Sequence, residues 1–179
     1  MRKYIFFVAF AAVIISAMSF NGCILDAFKT ITQNIPIFQS FNVSGNATSY
    51  TQSETINLDS STVYQRYKDQ IQSIKLVRAE YRTTSINQPT LSGTVKITVS
   101  DMNGNIIFSV SLNQISPADY ENTPYELTLD QTQITAFNNY LSNLSNKTFK
   151  VTINVTNISP TPYQFTGVVD MVFELTANT

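Results

Sequence analysis

From Ile35 onward, apolar and polar residues alternate with a period of two along most of the chain. In the segment 95–99, Val95, Ile97 and Val99 alternate with Lys96 and Thr98. Successive side chains of a β-strand point to opposite faces, so each such segment has one buried and one wetted face. One-sided burial is typical of antiparallel sheets. The alternation therefore predicts a chain built mainly of strands that pack face to face.

About eight strands are predicted, over residues 35–43, 49–58, 74–84, 91–100, 105–112, 125–129, 149–155 and 165–175. Two connecting segments have helical spacing instead: one is capped by Ser60 or Ser61 and runs to Ile71, and the other is capped by Asp130 and runs to Leu144. Asn103-Gly104 predicts a hairpin. Short strands with such turns predict a single domain over 35–179, an antiparallel β-sandwich of immunoglobulin-like general shape.

The composition excludes several functions. Only 13% of the residues are charged, against about 25% in an average protein. Thr, Ser, Asn and Gln make up 68 of the 179 residues, which suits strand faces that stay soluble with few charges. The absence of His excludes Ser-His-Asp and Cys-His catalysis. A net charge of −1 argues against nucleic-acid binding, and we expect neither a cofactor nor enzyme activity.

The first residues have the layout of a secretory signal peptide. Arg2 and Lys3 precede a continuous apolar run that ends near Met18, and Gly22 and Cys23 follow. The apolar run is about 15 residues long, whereas a membrane-spanning helix needs about 20. We therefore expect residues 1–22 to be removed from the mature protein.

The end of this segment resembles the lipobox of bacterial lipoprotein precursors. Gly22 matches the small residue before the cleavage site, and Cys23, the only cysteine, matches the lipidated residue. Phe20 and Asn21 depart from the aliphatic and small residues usual there. The resemblance implies a diacylglyceryl thioether at Cys23 and a bacterial cell-envelope location. Ile24 stands where Asp would signal retention at the inner membrane, so the outer membrane is expected.

Residues 23–34 connect the lipidated cysteine to the predicted domain. Apolar side chains at Ile24, Phe28 and Ile31 have the spacing of one helical face. The segment is interpreted either as a short helix or as a linker with incidental apolar residues.

Exposed tyrosines are the first candidate for a ligand surface. Tyr64, Tyr67, Tyr120 and Tyr125 lie near predicted loops or segment ends, where flat rings stack on sugars or simply pack against the domain. Without Trp, the carbohydrate interpretation has little support. Packing is the simpler alternative.

Charged residues give three further candidates. Asp119, Glu121 and Glu126 lie in or beside one loop and would be the acid and base of a His-free glycoside hydrolase if they faced each other. Asp101-Met102-Asn103-Gly104-Asn105 begins like a calcium loop but lacks the Gly and Glu required further on. Arg78, Glu80 and Arg82 share one strand face and are expected to form a wetted, ion-paired surface. Solvent exposure is the favoured interpretation for the loop carboxylates and the strand face, and a hairpin turn is favoured for the Asp101 segment.

Together these features predict a lipid-anchored envelope protein that works as a binding or structural interaction module. Its expected partners are the membrane, through the anchor, and a protein or polysaccharide of the envelope. A carbohydrate-binding lipoprotein serving a partner enzyme is the alternative, and a His-free hydrolase is a weaker one.

Overall fold

The computed structural model describes residues 29–179. It contains eight strands: β1 (Thr30–Gly45), β2 (Ser49–Asn57), β3 (Ile71–Ile86), β4 (Ser92–Ser100), β5 (Ile106–Ile115), β6 (Tyr125–Glu126), β7 (Thr148–Ser159) and β8 (Tyr163–Asn178). Two α-helices, α1 (Thr62–Tyr67) and α2 (Gln131–Ser142), and the 3-10 helices Leu58–Ser60 and Pro117–Tyr120 connect them. The predicted strand content and the two connecting helices are confirmed.

The strands pair as a nested series. β1 pairs with β8, β2 with β7, β3 with β6 and β4 with β5, all antiparallel, like one long hairpin folded on itself. Wrapping this hairpin adds the pairs β3–β8 and β4–β7. Two four-stranded sheets result: the β1 sheet has the order β1-β8-β3-β6, and the β2 sheet has the order β2-β7-β4-β5.

This strand order is that of a jelly roll. The predicted two-sheet antiparallel sandwich is confirmed, while its strand order differs from the immunoglobulin arrangement. Alternation specifies which face of a strand is buried, but it does not specify which strands pair.

The core lies between the two sheets and is closed by α2. Phe137 of α2 is fully buried, and its ring centroid lies 5.1 Å from that of Phe149, 5.5 Å from Phe108 and 5.8 Å from Phe173. Such edge-to-face contacts add to the free energy gained by burying the rings. The helix is therefore part of the core.

Side-chain caps set where the helices begin. Asp130 accepts the backbone N–H of Gln133, and the Gln133 side chain in turn accepts the N–H of Asp130, which forms a capping box. Ser61 accepts the N–H of Tyr64 at 3.4 Å. Both predicted caps are confirmed. The first helix ends at Tyr67, however, and Ile71 begins β3 instead of ending the helix.

The first strand begins at Thr30, five residues before the predicted domain boundary at Ile35. Residues 30–34 pair with residues 174–178 of β8, so they are neither a helix nor a linker. Main-chain pairing produces this extension, since Ile31 is only half-buried. Residues 23–28, which make up the rest of the predicted tether, lie outside the described residues.

The sandwich has two ends. At the proximal end β1 and β3 begin, β8 ends, and the Thr179 N–H donates to the Lys29 carbonyl. The other end is called the distal end. There, only five residues connect β3 to β4, so β4 runs back and the β4–β5 turn lies at the proximal end. Among residues 29–179, no helix has both the length and the apolar character needed to cross a bilayer.

Candidate binding surface

One side of the sandwich is closed by α2. The Asn138 side-chain oxygen accepts the N–H of Leu76 on β3 at 2.9 Å. On the same helix, the Gln133 amide donates to the carbonyl of Ser109 on β5, also at 2.9 Å. The helix thus satisfies main-chain groups of a strand in each sheet. Edges covered in this way do not pair with other chains.

The opposite side is formed by the edge strands β1 and β2. A groove of about 590 Å³ runs between them, and α1 and the preceding turn close one end of it. Its lining comes from both strands and from that turn: Pro36, Ile37, Phe38, Gln39, Thr55, Ile56, Ser60, Ser61, Thr62 and Val63. This groove is called the edge groove below.

The outer edge of β1 carries unpaired main-chain groups. The Lys29 carbonyl accepts the Thr179 N–H, so these two residues form a hydrogen-bonded pair. Hydrogen-bonded pairs recur at every second residue of an antiparallel ladder. Because the register is unbroken, the odd-numbered residues of β1 bond to β8. Even-numbered residues therefore direct their N–H and C=O groups away from the sheet. Pro36, which has no N–H, occupies an even position, as proline does in edge strands. The Ser40 carbonyl accepts only a local bond at 3.0 Å, from the side chain of Gln39.

Phe38 marks the middle of this edge. Its side chain is 62% exposed, and it lies opposite Asp170 on the outer face of the β1 sheet. Six of the seven Phe residues in the described part of the chain are buried, so Phe38 is the exception among them. An exposed aromatic side chain beside unpaired main chain is suited to holding an extended partner segment.

The inner face of β2 is polar where a core strand would be apolar. Tyr50, Gln52 and Glu54 lie opposite the buried Val155, Ile153 and Val151 of β7, on the side that faces the β1 sheet. The Tyr50 hydroxyl donates to Gln52 at 2.9 Å, and the Gln52 amide donates to Glu54 at 3.0 Å. These polar side chains stand where apolar ones would close the two sheets on each other, and the edge groove lies along this side.

The outer face of the β1 sheet is ion-paired, as predicted. Arg78 lies 3.5 Å from Glu80, and the Arg82 Nε donates to Asp170 at 2.8 Å. The second carboxylate oxygen of Asp170 is buried without a hydrogen-bond partner. These side chains form a charged strip across the middle of the sheet.

The four predicted ligand tyrosines do not form one surface. Tyr64 is buried, with 4% of its area exposed, so its place in a ligand surface is wrong. It lies in α1, whose apolar positions pack onto the core. Tyr67 is half-buried in the same helix. Tyr120 and Tyr125 lie beside β3, and their ring centroids are 5.4 Å apart. Their rings meet edge to face, which offers a ligand less open ring face than a flat platform would.

Burial also shifts the pKa of Tyr81, whose ring lies behind Tyr120. Tyr81 is fully buried, and burial raises its pKa to about 12, against a smaller opposing effect of its hydrogen bond with Thr83. Its ring contacts Tyr120 at 5.8 Å between centroids. Tyr120 is thereby tied into the core.

The predicted carboxylate candidates are exposed to solvent. Asp119, Glu121 and Glu126 all have exposed side chains, and Asp119 lies in the 3-10 helix Pro117–Tyr120. Solvent exposure on all three does not provide the dry pocket in which the acid of a glycosidase differs from its partner base. Within residues 29–179, the Asp, Glu, His and Cys side chains form no group of three that could hold a metal ion.

The Asp101 loop is a hairpin turn, as expected. Its carboxylate accepts the N–H groups of Asn103 and Asn105 at 2.8 Å and the Asn105 side-chain amide at 2.7 Å. Within this turn Gly104 has a positive φ, of 90°, and Asn103 does not. Both carboxylate oxygens thus serve the turn itself.

The edge groove was not found from the sequence, although two signals pointed to it. Phe38 interrupts the alternation of Ile35, Ile37 and Phe41. In the second strand, Gln52 and Glu54 share a face with the buried Ile56. Cys23, the predicted lipidation site, lies outside the described residues.

Comparison with known proteins adds little. No protein-family model matches the chain, and no curated protein matches it. The BFDV capsid protein in a decameric assembly is 13% identical over 84% of this chain and all of its own, with a TM-score of 0.45. The Desmodium yellow mottle tymovirus structure is 11% identical, with a TM-score of 0.38, over 82% of this chain and 84% of its own. The infectious bursal disease virus VP2 subviral particle is 9% identical over 83% of this chain and 33% of its own, with a TM-score of 0.38. Values this low bear on no function of this chain.

Proposed function

We propose that this chain is a lipid-anchored interaction module of the bacterial cell envelope, held in the outer membrane through Cys23. In this proposal the free edge of β1 binds an extended segment of a partner protein. Function would then consist of holding two components together, without chemistry of its own.

The observation that carries the proposal is the difference between the two sides of the sandwich. On one side, Asn138 and Gln133 of α2 bond to the main chain of β3 and β5. On the other, a 16-residue strand presents its outer main chain beside the edge groove and Phe38. A long uncovered edge is a template for strand addition, which proteins otherwise protect.

The position of the first strand supports the anchor. Lys29 lies at the proximal end, and Cys23 is six residues earlier. Six residues span at most about 20 Å when fully extended. An acylated Cys23 would therefore keep the proximal end near the membrane, while β1 leads away from it.

The anchor is tested by fractionation. We expect Cys23→Ser to move the protein from the membrane fraction to the soluble fraction, because the acyl chains supply the membrane affinity. Mass spectrometry of the N-terminal peptide should show a diacylglyceryl group on the wild-type cysteine. A Cys23→Ser protein that stays in membranes after an alkaline wash would contradict the anchor.

The binding edge is tested by site-specific photocrosslinking in cells. A photoreactive residue at position 38 should give adducts with a partner, whereas one at Val77, whose side chain is 59% exposed near the covered edge, should not. Ser40→Pro removes an outward N–H without touching the β8 pairing, so it should abolish the adducts in a folded protein. Equal adducts at positions 38 and 77, or adducts that survive Ser40→Pro, would overturn the edge assignment.

A further inference from the structure

The proximal end carries an unusual share of exposed apolar side chains. Five large apolar residues are exposed among residues 29–179, and three of them, Met102, Ile106 and Leu144, lie at this end. Their exposed fractions are 52%, 64% and 40%. The other two, Phe38 and Val77, lie along the sides, so the distal end has none of the five.

The three side chains come from neighbouring segments. Met102 lies in the β4–β5 turn, and Ile106 begins β5 opposite Ser100. Leu144 follows α2, and its neighbour Ser145 lines the same surface pocket as Met102, together with Tyr140. The pocket places the turn beside the segment that follows α2. Met102, Ile106 and Leu144, which lie on or next to these segments, are together called the proximal patch below.

The turn that carries Met102 is held in shape by polar contacts. The Asp101 carboxylate accepts three hydrogen bonds from Asn103 and Asn105, and the Gly104 N–H donates to the Asp101 carbonyl at 3.2 Å. A turn this well bonded does not need the Met102 side chain for its own packing. The side chain is left pointing outward from a fixed position.

We propose that the proximal patch docks on the lipid bilayer, with Met102, Ile106 and Leu144 at the level of the headgroups. The proposal rests on the lipid anchor proposed above, and it goes beyond that anchor because the folded domain itself would contact lipid. Apolar side chains beside polar groups are typical of surfaces that lie in the membrane interface.

The position of the proposed anchor supports the lipid bilayer as the partner of the proximal patch. Cys23 can lie no more than about 20 Å from Lys29, so the proximal end is the part of the domain nearest to the bilayer. Lys29 lies at the β1 corner of this end and Met102 at the β5 corner. These corners are about 15 Å apart along the sheets and about 10 Å apart between them. Acyl chains at one corner and the proximal patch at the other would hold the strands upright on the membrane.

The charges of this end are compatible with a lipid surface but do not require an anionic one. Exposed Arg66 and Lys68 are accompanied by Asp69, while Lys147 is paired with Asp59. The signs are mixed, so the apolar side chains carry the contact.

The test uses the full lipidated protein in vesicles of phosphatidylethanolamine and phosphatidylglycerol. With Cys23, the only cysteine of the chain, acylated as proposed, a second cysteine can be labelled selectively with an environment-sensitive fluorophore. One protein carries Asn103→Cys, beside Met102, and a second carries Thr161→Cys at the distal end. Lipids with a quencher attached in the acyl region should quench the label at 103 several-fold more than the label at 161.

Removal of the patch provides the matched control. Met102→Ser with Leu144→Ser should reduce the quenching at 103 to the distal level. Val77→Ser, which removes a comparably exposed apolar side chain from the side of the domain, should leave it unchanged. Equal quenching at 103 and 161 in protein that floats with the vesicles would overturn the docking and leave the anchor intact. Protein that does not float and lacks acyl groups would overturn both.

Discussion

The ring of Phe41 leaves no room for a side chain at Gly167 of β8. Gly167 pairs directly with Phe41 of β1, and the Phe41 ring lies over it. A Cβ added at Gly167 would come within 2.3 Å of the ring Cζ. The ring cannot move away easily, because it is buried and contacts Tyr81 and Phe165 at centroid distances of 6.1 and 6.4 Å. The glycine is therefore needed for space.

We expect Gly167→Ala to lower the free energy of unfolding by about 1–3 kcal/mol, the usual range for overpacking a core. Urea denaturation measures this loss as a lower midpoint. Phe41→Leu in the same chain should recover part of the loss, because it frees the space that the Cβ needs. If Gly167→Ala costs as much with Phe41→Leu as without it, the ring is not the cause.

Asp101 makes the β4–β5 turn sensitive to acid. The hydrogen bond from the Asn105 side chain, followed by backbone N–H bonds, holds the pKa of Asp101 below its ordinary value of 3.8. A carboxylate whose pKa is lower in the folded state stabilises the fold at pH values above its unfolded pKa. That contribution is lost as the pH falls through the folded pKa.

We therefore expect the backbone amide signals of Asn103 and Asn105 to shift together at a pH below 3.8, as the carboxyl group takes up a proton. NMR titration measures the midpoint. Asp101→Asn should remove this transition, since the amide does not titrate. A midpoint above 3.8 would contradict the assigned hydrogen bonds.

At the scale of elements, α2 covers part of the edge of β3 that a further strand would otherwise pair with. β6 is only two residues long and covers a small part of β3. Leu127 extends that cover, donating its N–H to Ala79 at 2.8 Å, and Asn138 of α2 accepts the N–H of Leu76. A single amide side chain thus replaces a strand at this point of the edge.

We expect Asn138→Leu to cost about 1–3 kcal/mol of unfolding free energy, because the partly buried N–H of Leu76 would lose its acceptor. Asn138→Asp keeps an oxygen at this position and should cost much less. Chemical denaturation distinguishes the two variants, and hydrogen exchange at Leu76 should be faster in the Leu variant alone. Equal losses in both variants would show that the oxygen is not what matters.

Most elements could be predicted from the sequence because each leaves a local pattern. The caps at Ser61 and Asp130, the turn at Gly104 and the alternation along β4 depend on neighbours close in the chain. The start of β1 could not be predicted, since residues 30–34 are extended through pairing with residues 174–178. The burial of Tyr64 was missed for the same reason, as it depends on what α1 packs against.

At the scale of the whole molecule, the edge groove shows what the alternation of apolar and polar residues does not predict. Gln52 and Glu54 share the face of buried Ile56, and only the sheet order shows that this face borders an opening. The exposure expected for Tyr64 was wrong for a similar reason, because position near a loop does not measure exposure. Distances between strands that are far apart in sequence decide both questions.

The nested pairing also determines when this domain can form. β8 lies between β1 and β3, so neither has its main partner until the last strand has been delivered. Contacts between the first and last strands close the longest possible loop, which slows folding. Residues 30–45 therefore stay without their strand partner until residues 163–178 are available, and any truncation that removes β8 should leave both β1 and β3 unpaired along most of their length.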